Sequence, residues 1–255
     1  MQTSIFTKSH EFNPSLENLN FLEADFGKKG DGFGTVRFKY YLNALKIQTP
    51  KLYTPFGFSQ GIPGTASFGR DFNCQFNLDS STQKIKAFLN GLRQFQDVLV
   101  RVAWENRVQW KLFGSRLQCE KATLEDVRKK LSPIVREPRD DRYPPTLKLS
   151  FELKYDKETR IPSIKTECHN DKNEDIEPSE STIPRRSNCI LQIKAPTVWI
   201  SPGPDRKFGV KFLIERIKVY QPEEAQGGSA VGSGFSSGVG LPSGECLLDD
   251  SDDEE

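Results

Sequence analysis

Apolar and polar residues alternate with a period of two along much of the chain, a pattern typical of strands that bury one face. In the first such run, Val36, Phe38 and Tyr40 fall on one side, and Arg37 and Lys39 fall on the other. The same alternation recurs, and the full set of segments is 35–42, 45–49, 72–78, 146–155 and 189–194. These segments predict five short strands.

A sixth strand is predicted in KFGVKFLIERIKVY, residues 207–220. Val210 and Ile214 share one parity, whereas Ile217 and Val219 share the other. Because side chains alternate between the faces of a strand, a change of parity requires an extra residue or a sharp bend. The sequence therefore predicts a β-bulge here, which strongly coiled or closed sheets use to turn corners.

Helical spacing is confined to two segments. Apolar residues recur at roughly helical intervals over 85–102, and Ser80 or Ser81 precedes them as an N-cap. A shorter helix is predicted over 124–131, with Thr123 as its N-cap and an acidic residue three positions later. Six strands, one or two helices and no βαβ rhythm favour a mainly β fold, an antiparallel barrel or sandwich with a helical insertion.

Composition divides the chain into a body, residues 1–222, and a tail, residues 223–255. The tail begins with a Gly- and Ser-rich linker, 223–244, which has no period and too few apolar residues to offset the entropy of ordering. Within the body, the polar stretch 166–188 separates two apolar segments and is predicted to be a mobile loop. We therefore expect one folded domain followed by a disordered tail.

The net charge of +1 conceals a strong separation of charge. The tail holds nine acidic residues and no lysine or arginine, which leaves 26 of the 35 acidic and all 36 basic residues in the body. The body therefore carries a net charge of +10 and the tail −9. A cationic domain is linked to an anionic peptide.

Several classes of protein are disfavoured by the sequence. Five cysteines, an odd number with no CxxC pair, indicate neither a disulfide framework nor a zinc ribbon. The first residues lack the apolar core of a signal peptide, and no apolar stretch approaches the roughly 18 residues of a membrane-spanning helix. We expect an intracellular protein that is neither secreted nor bound to a membrane.

Catalytic and cofactor motifs are also missing from the sequence. Its two histidines, His10 and His169, belong to no HExxH motif, and there is no P-loop. The glycines of 30–34 precede a strand rather than a helix, so a turn is favoured over a dinucleotide site. Cys168 beside His169 is a weak indication of a metal site. We predict a non-enzyme with no cofactor and no metal.

Cations and aromatic rings are interleaved on the outward parity of the predicted strands. Such surfaces suit single-stranded nucleic acids, because cations neutralise phosphates and rings stack on unpaired bases. The predicted contact residues are Phe33, Arg37, Lys39, Tyr41, Lys46, Trp110, Lys207, Phe208 and Lys211. Trp199 is an alternative stacking residue, although tryptophan is more often part of a core. The competing interpretation is that these cations are simply solvated and that Phe33 or Tyr41 packs under a loop.

The acidic tail has two interpretations. It is either a solubility segment or a tethered polyanion that mimics nucleic acid, competes for the basic surface and, once displaced, docks on partner proteins. Its two leucines would then supply an apolar anchor beside the acidic run. The predicted partner-binding residues are Leu247, Leu248, Asp249, Asp250, Asp252, Asp253, Glu254 and Glu255.

Three segments, together with the acidic tail, resemble the single-stranded-DNA-binding proteins of phages and nucleocytoplasmic large DNA viruses. They are LKIQTPKLYTPFGFS (45–59), SPIVREPRDDRYPPTLKLSFEL (132–153) and VWISPGPDRKFGVKFLIERIKVYQP (198–222). The resemblance implies an OB-fold barrel that coats and protects single-stranded DNA during replication, recombination and repair. It also implies a polymerase, helicase or primase as tail partner, and a viral replication site in the host cytoplasm or nucleus.

By this resemblance, single-stranded DNA would lie on the barrel face that carries Arg37, Lys39, Tyr41 and Lys46, bordered by Lys207, Phe208 and Lys211. One departure concerns the tail: several such proteins end in an aromatic residue, whereas this chain ends in Glu254 and Glu255. The partner-docking role is therefore the weaker of the two implications.

Two alternatives come from other functional classes. A viral structural or scaffold protein could combine a β-barrel module with an acidic assembly tail, and an RNA- or histone-binding chaperone could also carry such a tail. Sequence alone does not separate DNA from RNA as the ligand. Assembly into a homo-oligomer is left open as well.

Overall fold

The computed structural model describes residues 6–27, 32–61, 63–65, 68–69, 71–159 and 161–222. The predicted linker and tail, including Leu247, Leu248 and the terminal acidic run, lie outside these residues. Helices are α1 (Gln83–Glu105), α2 (Arg116–Lys121) and α3 (Leu124–Arg128), and a 3-10 turn covers Ser9–Glu11. The strands, β1 to β16 in chain order, are Thr7–Lys8, Leu19–Asp25, Gly34–Tyr40, Leu45–Gln48, Leu52–Thr54, Phe58–Ser59, Asn73–Asn77, Val135–Arg136, Thr146–Phe151, Leu153–Tyr155, Pro162–Ile164, Glu167–Asn170, Ser187–Ala195, Thr197–Ile200, Phe208–Val210 and Leu213–Tyr220.

Two sheets and one separate hairpin organise the strands. In the main sheet the order is β1-β4-β13-β16-β9-β7-β6, with β5 also on β13, β12 on β16 and β8 on β9. The second sheet has the order β15-β14-β3-β2, and β10 pairs only with β11. Most pairs are antiparallel, but β16 runs parallel to β9. The prediction of a mainly β fold with helices inserted between strands is confirmed.

The main sheet is curved, but among the described residues its hydrogen-bonded strand pairs do not form a closed ring. Among the described residues no ladder joins β5 to β7, although the two strands touch. There the Thr54 hydroxyl donates to the Gln75 carbonyl at 2.9 Å. A closed barrel is therefore not found among the described residues, because a side-chain contact stands where the closing ladder would be.

The second sheet is an extension of the main one, because three chain segments run from one into the other. β3 leads into β4, β13 into β14, and β15 into β16. Only Pro196 separates β13 from β14. Since proline has no N–H to give to a ladder, it marks the point where the chain changes sheets. The position of each outward residue in the second sheet is thus tied to the main sheet.

The predicted bulge in the last strand is confirmed. Gln192 lies opposite Arg216 and Ile193 lies opposite Ile214, which leaves Glu215 as the extra residue of β16. The insertion allows Ile214 and Ile217 to point into the same core although their sequence parity differs.

Helix α1 packs its apolar stripe against both sheets. Phe95 is fully buried, and its ring contacts those of Phe12, Phe38 and Phe212 at centroid distances of 6.0, 5.7 and 6.2 Å. The N-cap is Thr82, whose hydroxyl accepts from the Ile85 N–H at 3.2 Å. The cap is therefore one or two residues after the predicted serines.

The short helices are held by their caps. α3 follows the predicted Thr123, which forms a reciprocal capping box with Asp126. α2 was not predicted, although Ser115 and Gln118 form the same box. No helix in the described residues is long and apolar enough to cross a membrane.

The stretch 166–188 is not the unstructured loop that its polarity predicts. Its first part forms β12, which adds a parallel strand to β16, and Cys168 is buried there. Further on, Ile183 is fully buried and its carbonyl accepts from the Phe58 N–H at 3.0 Å. A few anchored apolar residues and a backbone ladder order this stretch despite its polar composition.

Replacing Phe95 with alanine should lower the free energy of unfolding by about 3–5 kcal/mol, because it leaves a cavity where α1 meets both sheets. Phe56→Ala is the matched control, since that ring is 60% exposed, and its effect should stay within about 0.5 kcal/mol. Urea denaturation followed by circular dichroism measures both. Equal effects of the two variants would contradict the packing described.

Candidate nucleic-acid interface

The second sheet has one buried face and one outward face. Val36 and Val198 lie opposite each other on the buried side. On the other side, Thr35 lies opposite Trp199 and Arg37 opposite Thr197. Strand periodicity therefore turns Arg37 away from the core on the same side as the Trp199 indole.

The neighbouring strand brings further cations to this side. Trp199 lies opposite Gly209, and Lys207 and Lys211 share the parity of that glycine. Both lysines are exposed. Lys207 is fixed at the turn, because its backbone N–H donates to Ser201 Oγ and its carbonyl accepts from the Ser201 N–H, each at 2.8 Å.

An aromatic ring lies at the start of β3. Phe33 immediately precedes this strand, shares the parity of Thr35 and is 56% exposed. Lys39, at the other end, is exposed and lies opposite Asn20 of β2. We define the outward face of the second sheet by these residues: Phe33, Arg37, Lys39, Trp199, Lys207 and Lys211.

Within the described part of the chain, the cations of the outward face lack acidic partners. In the part of the chain that the structure describes, no carboxylate lies within 4.0 Å of Arg37, Lys39, Lys207 or Lys211. Burial is the main cause of the lowered pKa of Lys130, and the charge of Lys207 adds to it, although Lys130 is itself paired with the exposed Asp205. The four cations of the outward face, in contrast, have no neutralising carboxylate among the described residues.

Acidic residues border the face along β2. Asp25 lies opposite Thr35, and its carboxylate accepts from the Gly27 N–H at 2.8 Å. Glu23, in the bulge of the same strand, is exposed. The positive region is thus bounded at one edge and open toward β15.

A groove of about 260 Å³ continues from the outward face toward β8 and β9. Trp199 and Lys211 line one side, and exposed Arg136 lies on another. Arg136 was not predicted, since β8 has only two residues and no alternation. Its position depends on pairing with β9, opposite Thr146, which a local pattern does not reveal.

Two of the predicted stacking residues are core residues. Trp110 is 1% exposed and Phe208 is fully buried, with their rings packed edge to face at 5.9 Å. Phe208 lies opposite Ile200, on the buried parity of β15. Neither ring has a free face for a base, so the prediction that they contact nucleic acid is wrong.

Tyr41 and Lys46 lie outside the strands of the second sheet. Tyr41 follows β3 with a φ of 53°, and its ring is 64% exposed against the edge of Tyr40. Lys46 lies in the main sheet, 2.9 Å from a carboxylate oxygen of Glu215, with its ammonium 5.0 Å from the Phe6 ring centroid. The charge of Lys46 is therefore already compensated.

Lys46 belongs to a network of ions on the main sheet. Lys194 lies opposite it and approaches Glu152 to 2.7 Å, and Lys165 approaches the same carboxylate to 3.2 Å. Burial raises the pKa of Glu152, but hydrogen bonds from the two lysines and their charges outweigh it, so the pKa is lower than its ordinary value. The network is a structural feature rather than a ligand site.

No group of three or more histidine, cysteine or acidic side chains among the described residues is placed to hold a metal ion. His169 lies beside Cys168 in sequence, and its Nδ1 is 3.0 Å from Asp175. Burial raises the pKa of the Cys168 thiol to about 12.

Comparisons with known proteins give a structural likeness but no sequence match. No protein-family model matches the chain, and no curated protein matches it. Among solved structures, the chain is similar to gp2.5, a single-stranded DNA binding protein encoded by bacteriophage T7. The TM-score is 0.43 at 10% sequence identity, and the match covers 69% of this chain and 91% of that one.

Glu152→Gln should reduce the acid sensitivity of the fold. Because the folded pKa of Glu152 is lowered, its stabilisation is present at neutral pH and is lost as the pH falls below the ordinary glutamate value. The variant should lose on the order of 1 kcal/mol at pH 7, and the difference should shrink toward acid pH. Urea denaturation at a series of pH values measures this. Glu137→Gln, in the exposed Arg93 pair, is the control, and parallel profiles for Glu152→Gln and the wild type would contradict the network's role.

Proposed function

We propose that the chain is a non-enzymatic protein that binds single-stranded DNA across the outward face of its second sheet. The observation that carries the proposal is that four cations, which have no acidic partners among the described residues, and two accessible rings lie on one side of one sheet. These residues come from two segments that are far apart in sequence, β3 with its preceding residue and the β14–β15 hairpin with its flanking residues.

The combination of groups favours an unpaired strand over a duplex. Arg37 and Lys39 can neutralise consecutive phosphates, and Lys207 and Lys211 lie on the neighbouring strand pair. Phe33 and Trp199 offer ring surfaces, which only unstacked bases can use. A surface that acted through charge alone would not need the rings.

We further propose that the architecture is an OB-like, partly open barrel with α1 as its helical insertion. In support, the strand order β13-β16-β9-β7 includes one parallel pair, and β5 returns beside β7. Five-stranded, partly open Greek-key barrels of this kind bind oligonucleotides on their strands and loops.

The acidic tail would act on this face. A tethered polyanion reaches a local concentration on the order of millimolar, and nine acidic residues would compete with phosphates for the same cations. DNA entry would release the tail, and Leu247 and Leu248 would then help it to recruit a polymerase, helicase or primase. In this proposal the protein acts inside a cell, at a viral replication site. It would coat DNA there during replication, recombination and repair.

Replacing Arg37 and Lys39 together with alanine should weaken binding to a dT oligonucleotide and reduce its salt dependence. Each lost phosphate contact lowers the slope of log K against log salt by about 0.7 for single strands, so the double variant should lose ~1.4. Fluorescence anisotropy with labelled oligonucleotide over a range of salt concentrations measures both effects.

The matched control removes two exposed lysines from helices, Lys86 and Lys121, and so changes the net charge equally. Its slope should remain at the wild-type value. Equal losses in the two double variants would indicate a diffuse charge effect, and weak, salt-insensitive binding by the wild type would favour a structural or scaffold module.

Removing residues 223–255 should strengthen binding at low salt. If the tail alone occupies the face with a Kd of ~0.1 mM, a local concentration of about 1 mM weakens DNA binding roughly tenfold, and deletion restores it. The difference should shrink as salt rises. A full-length variant with all nine tail carboxylates changed to amides should behave like the deletion, whereas unchanged affinity and salt dependence would exclude competition.

A further inference from the structure

The Trp199 indole lies across the backbone of β15. A side chain at Gly209 would place its Cβ 2.9 Å from Trp199 Cζ2 and 3.1 Å from Ser132 Cβ. Glycine is therefore required for the ring to approach the strand so closely. Ser132 is fixed beside it, because its backbone N–H donates to the Phe208 carbonyl at 2.7 Å.

The indole borders the groove that adjoins the outward face. The groove has a volume of about 260 Å³, which exceeds the ~150 Å³ that suffices for a benzene ring in an apolar protein cavity. Ser132 and Val210 line it together with Trp199, and Lys211 and Arg136 lie at its walls. The groove thus offers room for a ring system beside an aromatic platform, with cations within reach of attached phosphates.

The polar groups in the groove suit the edge of a base. Lys148 Nζ and Asp71 Oδ2 are 2.8 Å apart, and each side chain is about one third exposed. An ammonium beside a carboxylate presents a donor and an acceptor together, as base edges also do. A simple anion site would not place a carboxylate there.

We propose that this groove is a subsite for one nucleobase, which stacks on the Trp199 indole while its edge contacts Lys148 and Asp71. The inference rests on the proposed function and deepens it, because it places the base that stacks on Trp199 in a defined groove and adds contacts to the edge of that base. Lys211 and Arg136 hold the phosphates that flank the inserted base. The position of the bound strand is then set by the one nucleotide in the groove and not by charge alone.

The test compares wild type and Trp199→Leu on two strands of equal length, a dT oligonucleotide and an abasic phosphodiester. Loss of one stacked base should weaken binding roughly 5- to 150-fold. Trp199→Leu should therefore lose that factor on dT and nothing on the abasic strand. Fluorescence anisotropy at one low salt concentration gives all four affinities.

Two further variants test whether the position of the Trp199 ring, and not a general change of the fold, accounts for the loss of binding. Gly209→Ala keeps every charge and the indole but displaces the ring, so it should weaken dT binding and leave the abasic strand unaffected. Trp104→Phe removes an indole on α1 whose Nε1 donates to the Ala122 carbonyl, outside the groove. Tryptophan quenching by dT should persist in this control and disappear in Trp199→Phe.

The outcomes distinguish the subsite from the interface. If Trp199→Leu weakens both strands equally, or leaves dT binding unchanged, the base subsite is overturned while the interface stands. If the wild type binds neither strand at low salt, the proposed function fails and the subsite fails with it. Unfolding midpoints measured for each variant exclude loss of fold as the cause.

Discussion

The packing of α1 against the inner side of both sheets determines which residues of β3 are buried and which lie on the surface. Phe95 meets rings from the N-terminal segment, from β3 and from the residue that precedes β16, so the buried parity of β3 is fixed by contact with the helix. Because the period of a strand is two, burying Val36 and Phe38 turns Arg37 and Lys39 outward. The cationic surface is thus a consequence of the core.

The bulge at Glu215 likewise determines which residues of the last strand, β16, are buried. Without an extra residue, Ile214 and Ile217 could not both enter the core, and the chain leaving β15 would meet the main sheet out of phase. The extra residue also carries the carboxylate that compensates Lys46. One local irregularity therefore serves packing and charge balance together.

Sequence periodicity predicted the strands well and the site only in part. Alternation located β3, β4, β7 and β9 and the parity switch in β16, because each depends on neighbouring residues alone. It failed for Trp110 and Phe208, since the burial of an aromatic residue depends on elements distant in the chain. The meeting of Trp199 with Arg37 and Lys211 depends on the register of β14 with β3 and β15, which no local pattern contains. β12 was missed for a similar reason, because its ladder partner lies about fifty residues away.

The cations of the two sheets differ in whether carboxylates lie beside them. Lys46 and Lys194 of the main sheet, and Lys165 just before β12, each lie beside Glu152 or Glu215, so their charges are balanced within the fold. On the second sheet, the four cations of the outward face have no such partners among the described residues, although Glu23 and Asp25 lie on a neighbouring strand. Like charges gathered on one surface repel one another, which lowers the stability of the free protein. Under the proposed function, a bound polyanion would relieve that repulsion, so the cost in the free state would become part of the driving force for association. The rings on the same face would then favour, among polyanions, those that carry unpaired bases.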